Sequence, residues 1–154
     1  MRDLSRFSFG ATSAVTSSLA LMVGLSQLDV SKIALIGALL IIGLADNIAD
    51  ALGVHIYSES KSKNYSKLNT ATNYLARLGI TLIMIFFVVF MPFMYALIAS
   101  IITGMFVIAL VSYFIAKEHG LDARRIVAEH LAITVLVLIA SQLIGSSIRN
   151  ILHV

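Results

Sequence analysis

Asp46, Asn47 and Asp50 place three oxygen-bearing side chains within one turn of the stretch IALIGALLIIGLADNIADALGVHIYSES, Ile33 to Ser60. On a helix Asp46 and Asp50 project about 40° apart, with Asn47 inside the same arc of about 100°. Carboxylate and amide oxygens without any thiolate suit a hard or borderline divalent cation. Two carboxylates one turn apart in a low dielectric do not both ionise freely, so cation arrival should release a proton. That is the physics required to exchange a cation for a proton. Gly43 and Tyr57 share the acidic side of the helix, one small and one phenolic, and are expected to line the path.

These acids sit where hydrocarbon is expected. The apolar run before them, Ile33 to Ala45, covers only about 20 Å as a helix. A bilayer core is about 30 Å thick and takes roughly twenty residues to cross. The helix therefore spans only by taking Asp46 and Asp50 into the membrane, where ionisable side chains mark functional sites by default. The composition agrees with such a solvent. The chain has 154 residues, 59% hydrophobic and 12% charged, with a mean hydropathy of +0.97. Soluble domains carry about twice that share of charge.

The elements that must hold the acids follow from the hydrophobic runs. The expected architecture is all-α, a single transmembrane domain over 1–154, with helices at about 7–25, 33–57, 73–91, 95–116 and 126–150. The charged start before an apolar run is read as a retained first helix, because the run is too long for a signal peptide. The uncharged stretch Gly79 to Ile115 is too long for one span, and Pro92 marks the hairpin that divides it. Arg77 is expected to snorkel to the interface, and Met84, Met91, Met94 and Met105 to fill the apolar interior. With five spans and the N-terminus cytoplasmic, nine of the eleven basic residues fall on the cytoplasmic side. The C-terminus is then outside. The first helix carries Gly10, Ser13, Ser17 and Gly24 on one narrow stripe, so Ser13 and Ser17 are expected to form a pathway wall opposite the acidic helix. No Lys or Arg is expected at the depth of the acids, which leaves them to a cation, a proton or an outside partner.

His55 with Glu59, Glu118 with His119, and Glu129 with His130 all fall near cytoplasmic helix ends. Imidazole and carboxylate there could collect a divalent cation at an entrance. Enzymatic function is not expected. Both acids leave one helix face, a poor geometry for an aspartyl hydrolase, and no Ser-His or HExxH arrangement offers another route. The absence of Cys removes disulfides and thiolate metal sites. No cofactor is expected, and the basic excess orients helices in the bilayer rather than binding nucleic acid.

GLADNIADALGVHIYSES, together with the small-residue first helix and the tail AKEHGLDARRIVAEHLAITVLVLIASQLIG, resembles the vacuolar iron transporter family. That family has a second-helix signature of the form GLADxxSMAxGEYxSxxS, which Gly43, Leu44, Ala45, Asp46 and Gly53 match. The resemblance implies a homodimer of ten spans whose first two helices line a path at the interface. It also implies export of iron or manganese from the cytosol in exchange for protons. Asp46 takes the place of the signature Asp. Asp50 stands where the family has Met, Ala49 where it has Ser, Val54 where it has Glu and His55 where it has Tyr. Phe9 replaces a first-helix Asp, and the family's acidic cytosolic extension gives way to the basic segment Tyr57 to Arg77. The alternative expectation is a membrane scaffold or assembly protein of the same fold, without transport. In either case the chain is expected to be a multi-pass protein, in the cell membrane if prokaryotic.

Overall fold

A computed structural model describes residues 3–61 and 66–152. His153 and Lys63 lie outside the described residues. The described chain is helical: α1 (Asp3–Leu25), α2 (Lys32–Ile41), a π-helical turn (Ile42–Asp46), α3 (Asn47–Lys61), α4 (Ser66–Phe90), α5 (Phe93–Glu118) and α6 (Ala123–Leu152). The elements α2, π turn and α3 run on as one rod. Five helices are long and apolar enough to cross a membrane: Phe7–Leu25, Lys32–Tyr57, Thr70–Phe90, Phe93–Glu118 and Ala123–Leu152. The expected five-span, all-α architecture therefore stands.

The helix ends follow local chemistry. Ser31 caps α2, its hydroxyl accepting from the Ala34 amide at 3.2 Å. Pro92 occupies the N-cap of α5 with φ −56° and ψ 145°, which ends α4 and starts the next span. The end of α5 is a Schellman turn. Gly120 takes φ +67°, its amide bonds to the Lys117 carbonyl, and the Leu121 amide reaches back to Ala116. Beside the α4–α5 hairpin, the Lys32 ammonium donates to the carbonyls of Val89 and Met91 at 2.9 and 3.2 Å. A cation on the last carbonyls of a helix satisfies acceptors that have no intrahelical donor. Lys32→Ala is expected to lower stability by about 0.5–1 kcal/mol, read as a small downward shift in the melting temperature of the detergent-solubilised protein.

α1 is the hub. It packs on α4, α5 and α6 and touches the second span only weakly. Close approaches set that arrangement. The backbone of Gly10 lies against Asn73 of α4, Gly104 of α5 accommodates Val15 and Leu19, and Gly145 of α6 meets the Gly24 carbonyl and Gln27. Small residues at these crossings let the backbones approach, the usual basis of helix association in lipid. The apolar core joins Val15, Leu19 and Met22 to Leu35, Leu39, Met84, Val88, Ala96 and Ile108. It fills the half of the bundle next to the α4–α5 hairpin. The opposite half holds the buried polar residues of α4.

Several expectations are corrected here. α4 begins at Ser66 rather than near 73, so much of the basic segment Tyr57 to Arg77 is helix. The small-residue stripe of α1 is divided among partners: Gly10 packs on Asn73 of α4 and Gly24 on Ser141 of α6, while Ser13 reaches the acidic helix at Asp50. Met84 is core, whereas Met91 and Met94 at the hairpin are exposed.

Candidate functional site

The site is built on the second span where its winding changes. At Ile42–Asp46 the helix widens to a π turn, and the Asn47 amide bonds to the Ile42 carbonyl five residues back. Single π turns inside α-helices are frequent at functional sites. Gly43 sits against Thr81 of α4, where an added Cβ would lie 2.9 Å from the Thr81 methyl. Gly43 is thus a packing contact, not the path-lining residue expected. One turn on, Asn47 is fully buried and its amide group donates to the carbonyls of Gly43 and Tyr74 at 3.3 and 3.0 Å. Both amide hydrogens are used, so the orientation of the side chain is fixed. Asn47 ties the second span to α4, and its oxygen is buried without a partner.

Asp46 and Asp50 converge on one guanidinium. Arg77 Nη2 pairs with Asp46 Oδ2, and Nη1 pairs with Asp50 Oδ2. Nη1 also donates to the Ser13 hydroxyl at 2.7 Å, and Ser13 Oγ lies 3.5 Å from Asp50 Oδ2. The expectation that no basic residue shares the depth of the acids is therefore wrong. It failed because it placed the start of the third helix near Asn73, leaving Arg77 at the interface. With α4 starting at Ser66, Arg77 lies about 16 Å into the helix. It also points inward, because Asn73, Arg77 and Thr81 recur every four residues on one buried face. That polar i, i+4, i+8 series in a hydrophobic span was the available sequence signal.

Exposure separates the members of the cluster. Arg77 is 2% exposed, Asp50 34% and Asp46 51%. The cluster has a net formal charge of −1, with its cation inside and its carboxylates reaching the flank. Elsewhere on the same span Leu40, Leu44, Ile48 and Leu52 are exposed as well, on faces turned away from Asp46. Asp46 is too polar to face acyl chains at that depth.

The other expected site residues do not join this cluster. Ser17 bonds back to the Ser13 carbonyl at 2.7 Å, and Tyr57 is exposed at the end of its span. His55 pairs with Glu59 on its own helix at 3.4 Å. His119 turns back to the Ile115 carbonyl at 2.9 Å, Glu118 is exposed, and Glu129 pairs with Arg125 at 2.9 Å. His130 bonds to Ser112 at 2.7 Å. It borders a cleft of about 200 Å³ with Thr12, Thr16, Ile108, Ile133 and Thr134. Among the described residues, no three His, Cys, Asp or Glu side chains converge as a metal-binding group. The entrance residues are thus spread over separate helices, without a common centre.

No family model matches the chain, and no curated protein or solved structure matches it.

Proposed function

We propose that the chain is a divalent-cation transporter, moving iron or manganese out of the cytosol in exchange for protons through the Asp46–Asp50 site. The observation that carries this reading is the pair of carboxylates within a membrane span, held by one guanidinium while Asp46 remains half exposed. Such a carboxylate needs water, a cation or protein against it. A path along the first two spans supplies the first two. A homodimer related by two-fold symmetry supplies the third and brings a second set of acids to the same flank. That would raise the donor count beyond the two carboxylates of one protomer. The N-inside, C-outside orientation belongs to this proposal and rests on the distribution of basic residues, and the resemblance of the second-span motif to the vacuolar iron transporters supports the choice of metal.

The test is flux. Purified protein in liposomes, given a Mn²⁺ gradient, should carry Mn²⁺ and move protons in the opposite direction. Asp46→Asn and Asp50→Asn should each reduce both signals to the level of protein-free liposomes. Normal flux in both variants would overturn the assignment of the site.

One observation favours a second reading, the non-transporting scaffold. Arg77 already balances one of the two carboxylates, as a structural ion cluster would. Under that reading the wild type carries no cation, and Asp46→Asn instead releases a co-purifying membrane partner.

A further inference from the structure

We propose that Arg77 is a tethered counter-cation. It holds Asp46 and Asp50 while the site is empty, and it yields them to an incoming divalent cation by withdrawing onto the amide oxygens of Asn47 and Asn73. This inference rests on the transport reading and adds to it what competes with the substrate and where the competitor goes.

Three features carry it. First, the guanidinium uses separate nitrogens for the two carboxylates. A ligand that replaces it must bridge both oxygens, which a proton or a monovalent ion at one carboxylate does not do. An oxygen-coordinating divalent cation does. Second, buried neutral acceptors stand beside Arg77 without partners. Asn47 Oδ1 is left over on a side chain whose amide hydrogens are fixed on Gly43 and Tyr74, and Tyr74 lies one turn before Arg77. Asn73 is 1% exposed, four residues before Arg77 on the same face, and neither its oxygen nor its nitrogen has a partner. Buried polar atoms without partners are rare and call for an explanation. Third, Arg77 has a donor to spare, since its buried Nε is unpaired as well. Donor and acceptors are thus present for a second arrangement of the guanidinium. Ser13, which already accepts from Nη1, provides a contact that this movement can retain.

A resident competitor weakens apparent affinity by the fraction of time it occupies the site, so removing it tightens binding. The experiment is Mn²⁺ titration of the purified protein in lipid nanodiscs by calorimetry. Arg77→Gln should bind Mn²⁺ at least about tenfold more tightly than wild type and lose net transport. Asn73→Ala removes a receiving oxygen without breaking any hydrogen bond of the resting state. It should bind Mn²⁺ at least about threefold more weakly, with an unchanged or higher melting temperature. A purely structural Asn73 would leave the affinity unmoved.

Folded Arg77→Gln protein with equal or weaker affinity overturns the proposal. If Arg77→Gln does not yield folded protein, Asn73→Ala decides, and unchanged affinity there overturns it. Wild type that binds no Mn²⁺ at millimolar concentration overturns the transport reading along with it, whereas wild-type binding with unresponsive variants overturns the counter-cation alone.

Discussion

Arg77→Leu is expected to lower the stability of the folded bundle by about 3–5 kcal/mol, the usual consequence of removing one partner from a buried ion pair. Arg77 is 2% exposed and is the shared partner of Asp46 and Asp50, so its loss leaves two carboxylates one turn apart with no cation between them. The cause is electrostatic rather than steric, because leucine is smaller than arginine and apolar. The triple variant Arg77→Leu, Asp46→Asn, Asp50→Asn should therefore recover most of the loss, since replacing all members of a buried charge cluster with neutral groups is often close to neutral. Equilibrium unfolding of the three proteins in one detergent decides the matter. A triple variant no more stable than the single one would mean that Arg77 acts through packing alone.

Gly10→Ala carries the second large effect, about 1–3 kcal/mol of destabilisation from overpacking. The added Cβ would collide with the Asn73 carbonyl oxygen and lie 2.9 Å from its side-chain oxygen. The first of these is α4 backbone, which cannot move away as the end of a flexible side chain could. α1 must then retreat from α4 exactly where Ser13 reaches Arg77 at 2.7 Å. The variant should therefore lose both melting temperature and any activity that depends on Arg77. Gly120→Ala, strained by its positive φ but remote from α4, is the control: it should lose stability while keeping that activity.

The same contact lies beyond what local sequence pattern encodes. Gly10 belongs to a small-residue stripe, but a stripe carries no label for its partner. The partner is Asn73 of α4, 48 residues beyond the end of α1 at Leu25. Gly43 raised the same difficulty. It lay on the acidic side of an ideal helix, yet the π turn at Ile42–Asp46 and the methyl of Thr81 make it a packing residue. A periodicity of 3.6 residues cannot foresee a turn wound differently.

The amino-acid sequence alone establishes the set of elements and the anomaly within them. Hydrophobic length defines five spans, Pro92 divides the long uncharged run, and the shortness of Ile33–Ala45 forces Asp46 and Asp50 into the second span. These are local properties, fixed by the size of a bilayer and by backbone conformation. What the acids meet depends on how the helices pack. Arg77 is 27 residues beyond Asp50 along the chain, and the distance between them depends on where α4 starts, which face it buries and how closely Gly10 lets α1 approach. A pair of charges is a relation between helices, and packing sets that relation.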